Sequence, residues 1–185
     1  MRPSKFILSV AVLSLAGALT VSADDQQNNF APRRFFAQLR GGNEVPPIST
    51  NAMAILKLSL SSDESTLTFQ LSWKGLTADA AAAHIHFGPT KVNGGVMVFF
   101  CGGGGQAACP PNPATPGDVV TIMGTITAAN VVGPAAQGID PPPANDFPEV
   151  IRAIRSGLAY ANIHNAKFPS GEIRGAVMSS TMNEQ

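Results

Sequence analysis

Charge is scarce in this chain. Only 13% of its 185 residues are Asp, Glu, Lys or Arg, and 12 basic residues balance 12 acidic ones. Such a balance offers no basic stripe for nucleic acid and no polybasic stretch for anionic lipid. It also argues against a helical bundle, whereas 18 Gly and 15 Pro point to a turn-rich β protein. Trp73 and Tyr160 are the only residues of their kinds. They make no aromatic platform for sugars, which argues against glycosidase chemistry on carboxylates such as Glu44 and Glu172. A Gly-x-Ser-x-Gly elbow is absent, and the glycine run 102–105 lies between two cysteines, so it is a loop and not a phosphate cradle. Histidine is limited to His84, His86 and His164.

The one long apolar run covers residues 6–19. It is too short and too small in side-chain volume to span a bilayer. Arg2 and Lys5 precede it and Val21-Ser22-Ala23 closes it with small residues, the pattern of a secretory signal. No Cys comes after it that could carry a lipid, so a lipid anchor is not expected. The expected organisation is a signal peptide over 1–23, a polar lead-in over 24–34, one β domain over 35–178 and a tail over 179–185. Removing Arg2 and Lys5 leaves 10 basic against 12 acidic residues, a net charge of −2. The expected location is secreted or extracytoplasmic, in the periplasm or cell envelope, with no transmembrane segment in the mature chain. Under those oxidising conditions Cys101 and Cys109, separated by a flexible Gly-rich segment, are expected to form a disulfide rather than two free thiols or a metal site. Closing so short a loop contributes about 2–3 kcal/mol.

Strands dominate the remainder of the chain. Residues 52–60 place Leu56, Leu58 and Leu60 on one face, and 66–73 turn Leu67, Phe69, Leu71 and Trp73 inward with Thr66, Thr68, Gln70 and Ser72 outward. The polar segment 61–65 joins them as a hairpin. Further strands are expected at 35–39, 81–87, 96–100, 119–127, 159–164 and 172–178. One helix is expected after Asp146, capped by that side chain, with Glu149 in the capping-box position, a stripe of Ile151, Ile154 and Leu158, and Gly157 as its stop. The Pro/Gly-rich stretch 128–145 reads as an irregular surface loop. Seven or eight short strands imply an all-β fold, an antiparallel β-sandwich or partly closed Greek-key barrel with one short helix.

The histidines carry the clearest chemistry. Period 2 puts His84 and His86 on one face of their strand. With His164 from a neighbouring strand they make a three-imidazole set suited to a copper or zinc ion, copper binding imidazole more tightly by the usual divalent order. The competing reading makes them hydrogen-bonded polar positions on a strand face. Asn162 shares a face with His164 and is a candidate to support it. Arg174 is expected to pair with Glu172, two residues away on the same strand face, or with Glu44, tying the Asn43-Glu44-Val45-Pro46 loop to the last strand.

Four segments together resemble the CHRD (chordin) domain: Phe35-Phe36-Ala37-Gln38-Leu39-Arg40-Gly41-Gly42-Asn43-Glu44-Val45-Pro46-Pro47, Ala83-His84-Ile85-His86-Phe87-Gly88, Ala159-Tyr160-Ala161-Asn162-Ile163-His164 and Phe168-Pro169-Ser170-Gly171-Glu172-Ile173-Arg174-Gly175. The resemblance covers residues 35–177 and implies an extracytoplasmic β-sandwich-like module without a settled activity. A fainter similarity is to the copper/zinc superoxide dismutase family. Its β-barrel also carries a His-x-His pair, which would make His84, His86 and His164 ligands and Arg174 a guide for an anion. With three histidines in the whole chain, that family's bimetallic site is excluded by count; a mononuclear site is not. Three functions are consistent with these residues: a metal-binding module with redox activity, an adhesion or ligand-binding domain whose partner is an extracellular protein or small molecule, and a structural envelope protein.

Overall fold

A computed structural model of the protein describes residues 31–115 and 117–180. The signal segment, most of the polar lead-in and the end of the tail lie outside the described residues.

Among the described residues nine strands, all paired antiparallel, make one sheet. They are β1 (Arg34–Arg40), β2 (Met53–Leu60), β3 (Leu67–Lys74), β4 (Ala80–Phe87), β5 (Gly95–Cys101), β6 (Val120–Ile126), β7 (Ala159–Asn165), β8 (Ile173–Ala176) and β9 (Met178–Ser179). The order across the sheet is β5-β4-β7-β8-β1-β2-β3-β6, with β9 also on β1. The sheet curls towards closure. Phe100 on the β5 edge meets Phe69 of β3, one strand in from the opposite edge, at 4.9 Å between ring centroids. The architecture is therefore the barrel alternative of the two expected.

The expected hairpin forms as the alternation dictates. Leu60 pairs with Leu67 and Ala54 with Trp73, and Leu67, Phe69, Leu71 and Trp73 are all buried. Burying one such leucine contributes about 1.5–3 kcal/mol. Against β4, β5 carries two extra residues. Cys101 pairs with Ala83 and Phe99 with His84, which leaves Phe100 between them; Val98 pairs with Ile85 and Val96 with His86, which leaves Met97. These bulges turn Phe100 and Met97 into the core and bring Phe99 onto the histidine face.

The helix α1 spans Phe147–Arg155, and Gly157, at φ +71°, supplies the left-handed residue that ends it. Two details differ from the expectation. The Asp146 carboxylate does not cap the helix; it accepts the Asp140 N–H at 2.6 Å, which stabilises the preceding loop instead. Leu158 lies past the helix end and is exposed, so the stripe consists of Val150, Ile151 and Ile154 with Phe147. The stretch 128–145 is also less open than expected. Two short 3-10 turns (Ala128–Asn130 and Ala135–Gln137) shape it, Val131 and Ile139 enter the core, and Val132 and Gln137 hydrogen-bond to β5. Cys101 and Cys109 form a disulfide, as expected.

Candidate metal centre

The pairing of β4 with β7 brings the three histidines together. His84 faces Asn162, His86 faces Tyr160 and Ala82 faces His164. Residues opposite one another in an antiparallel pair project to the same side, so all three imidazoles rise from the outer face of the barrel. The inner face of the same strands carries Ala83, Ile85, Ala161 and Ile163, all fully buried.

Ring centroids lie 4.6 Å apart for His84 and His86, 4.5 Å for His84 and His164, and 6.2 Å for His86 and His164. One nitrogen from each ring lies within 4.8 Å of the other two. A tetrahedral ion with bonds of about 2.0–2.1 Å needs donors about 3.3 Å apart, a contraction of roughly 1.5 Å at most, within reach of small side-chain rotations. Among the described residues no carboxylate or thiolate joins the cluster.

Hydrogen bonds orient the rings. His86 Nδ1 lies 2.8 Å from the Gly94 carbonyl and His164 Nδ1 2.9 Å from the Pro169 carbonyl. A carbonyl only accepts, so both Nδ1 atoms carry the proton and both Nε2 atoms present a lone pair. Those Nε2 atoms, together with His84 Nδ1, are buried and have no hydrogen-bond partner among the described residues. A buried polar atom without a partner costs about 1–3 kcal/mol. Three at one place fit a cationic ligand and do not fit imidazoles that are satisfied by neighbouring polar groups.

Burial also fixes the protonation state. Desolvation, followed by its two neighbouring imidazoles, holds the His84 pKa down at about 2. Desolvation lowers His86 to about 4, against the Gly94 bond that raises it, with His164 and Arg174 adding to the depression. His164 is lowered for the same leading reason. All three are neutral donors at neutral pH.

Around them, Phe99 packs edge-on against His84 at 5.0 Å and Tyr160 stacks on His86 at 4.6 Å and 7°. The Arg174 guanidinium lies 4.6 Å from the Tyr160 ring. Arg174 Nε donates to Glu44 at 2.7 Å, and both side chains are 2% exposed. Of the two expected partners Glu44 is therefore the real one. The Glu172 carboxylate turns away and takes the Thr50 and Thr77 hydroxyls, the Thr77 N–H and the Asn165 amide. It sits one residue before β8. Burial pushes the Glu44 carboxyl up, while Arg174 and then Asn162 pull it back. Asn162 donates to Glu44 at 3.0 Å and not to a histidine; among the described residues its Oδ1 is a further buried atom without a partner. Gly171 is needed beside it: at φ +118°, a Cβ there would lie 2.7 Å from both the Asn162 amide and Glu44 Oε1. Arg174 is too enclosed to guide an anion from solvent.

The sequence reading gave no role to Phe99, Gly94 or Pro169. At Gly94 a Cβ would meet the Phe87 carbonyl at 1.8 Å, so only glycine fits there. Period 2 puts Tyr160 on the face of Asn162 and His164, but says nothing of its stacking on His86.

A curled antiparallel barrel with three converging imidazoles on its outer wall defines a β module with a metal-type donor set. The CHRD domain model matches residues 35–177, and the chain belongs to that family. No curated protein and no solved structure matches it.

Proposed function

We propose that this CHRD domain is an exported module that binds one copper or zinc ion through His84, His86 and His164. The observation that carries this reading is the trio of buried ring nitrogens without partners, two of them aimed by backbone carbonyls on their opposite nitrogens. Carbonyl bonds of this kind are how metal-binding imidazoles are held in the right tautomer. Three protein ligands leave a fourth position for water or an external ligand, the arrangement of reactive rather than purely structural sites. Imidazole donors suit both ions, and the divalent order favours copper at equal supply. The disulfide and the CHRD family support an oxidising, extracytoplasmic setting.

The test is metal titration by calorimetry, with metal content measured on the purified mature chain. The parent takes up one equivalent of copper or zinc; His84→Ala/His86→Ala loses at least about 100-fold in affinity while it keeps its fold, since a single imidazole remains. A double variant that binds as tightly as the parent overturns the assignment.

A further inference from the structure

Arg174 is the centre of a buried polar system beside the histidines. Its guanidinium donates to Glu44 Oε2 at 2.7 Å, to the Thr90 and Val92 carbonyls at 3.3 and 3.5 Å, and to Asn93 Oδ1 at 2.9 Å. The last three lie in the loop 88–94, which joins β4 to β5. That loop ends at Gly94, whose carbonyl takes the Nδ1 proton of His86 and whose N–H donates to the Tyr160 hydroxyl at 3.1 Å. Tyr160 in turn stacks on His86 and touches Arg174. On its other side Arg174 reaches Glu44 and, through it, Asn162, the residue opposite His84.

We infer that Arg174, braced by Glu44, is a positioning residue for the histidine cluster: it clamps the loop 88–94 so that the Gly94 carbonyl fixes the His86 tautomer and presents Nε2 to the site. The inference rests on the metal reading for its purpose but not for its geometry. Stability alone does not explain the arrangement. Desolvation of a buried ion pair commonly offsets its attraction, and well-packed apolar residues of similar volume serve a fold at least as well. The residue type is also informative. A planar guanidinium spans a carboxylate, two carbonyls and an amide oxygen at once, which a lysine ammonium on a single-point stem does not. Each of these loop bonds fixes a residue within four positions of Gly94, so losing them frees the one acceptor that selects the Nδ1–H form of His86.

The test uses the full mature chain, with two variants chosen to remain folded. Arg174→Lys keeps a cation beside Glu44 and loses the fork. Asn93→Ala removes one exposed loop anchor and leaves the buried pair intact. In the metal-free protein, 15N–1H correlation spectra of the imidazoles report the tautomer directly. The parent shows His86 in the Nδ1–H form, and each variant shows a mixture with the Nε2–H form. With cobalt(II) as a spectroscopic probe, affinity falls about 10-fold or more in Arg174→Lys and by less in Asn93→Ala, the range seen for outer partners of metal-binding imidazoles. If His86 keeps its single tautomer in both folded variants, the positioning role is wrong, because a merely structural residue moves stability and not the tautomer. If the parent binds no cobalt, zinc or copper, the metal reading fails while the tautomer measurement still decides this one.

Discussion

In β3 burial alternates: Leu67, Phe69, Leu71 and Trp73 are enclosed, and Thr68 and Lys74 face solvent. In β7 six of seven residues are buried, Tyr160 and Asn162 no less than Ala161 and Ile163. Both strands belong to one sheet, and both put apolar side chains into one core. The hairpin half needs only that core. The β4-β7-β8 part is covered a second time on its outer face, and what it hides there is polar: His84, His86, Asn162, Arg174 and, from the β1–β2 connection, Glu44. Enclosing polar groups costs folding free energy unless each finds a partner. In this region several do not. A fold optimised for packing would have left that face like the outside of β3, so the second layer belongs to the site.

The largest effect of a single substitution that sharpens this contrast lies in the core of the hairpin. Leu71 is fully buried, and Leu71→Ala should cost about 2–5 kcal/mol by lost transfer energy plus the cavity it leaves. Thermal or denaturant unfolding reads this directly. Metal affinity of the folded fraction should stay within about twofold, since the site is built on other strands. A large loss of affinity in a folded Leu71→Ala protein would break the division between the two regions.

A second effect concerns acid. Unfolded imidazoles take up protons near the ordinary value of about 6.5. In the folded, metal-free protein His86 does so only near 4 and His84 near 2, and His164 is lowered as well. Between those limits the unfolded chain holds more protons, so stability falls as pH falls, by up to about 1.4 kcal/mol per pH unit for each imidazole still neutral in the fold. Glu44, raised by burial, titrates with the opposite sign and offsets part of the loss. Unfolding curves from pH 7 to pH 4 should show the decline. His84→Ala/His86→Ala should flatten it, and the stabilisation by saturating zinc should weaken as pH approaches about 4, where the ion must displace a proton from His86. A parent protein equally stable at pH 7 and pH 4.5 would mean that the histidine face is hydrated like the outside of β3.

How much of this was legible beforehand depends on sequence separation. The hairpin was readable because its register is set by a short connection and an alternation of period 2. The shared face of His84 and His86 was readable for the same reason. The approach of His164 was not. It depends on β7 pairing with β4 across the whole of β5, β6 and α1, and nothing local fixes that register. Glu44 as the partner of Arg174 was named only as one of two choices. Sequence proximity favoured Glu172, and its diversion to Thr50, Thr77 and Asn165 comes from long-range contacts. Leu158 looked like core by its spacing from Ile154, but Gly157 had already turned the chain out of the helix. Phe99 reaches the site through a bulge in β5, a local irregularity with no period to betray it.

The smallest expected effect compares two side chains in matching places, each on the outer face of its strand. Ser72 on β3 shares a hydrogen bond of 2.8 Å with Thr121 on β6, and the pair is exposed. Water replaces such a bond at little cost, so Ser72→Ala should shift stability by no more than about 0.5 kcal/mol and leave the histidine cluster alone. Asn162 on β7 is 1% exposed and bonded to Glu44 inside the second layer. Asn162→Ala removes a donor from a buried carboxylate, and a lost bond to a charged group costs about 1.5–3 kcal/mol. It also withdraws the side chain opposite His84. Differential scanning calorimetry of the two variants, side by side, measures the difference between the regions with one truncation to alanine each. If Ser72→Ala and Asn162→Ala lower the midpoint equally, the outer cover over β4, β7 and β8 is no more than ordinary protein surface.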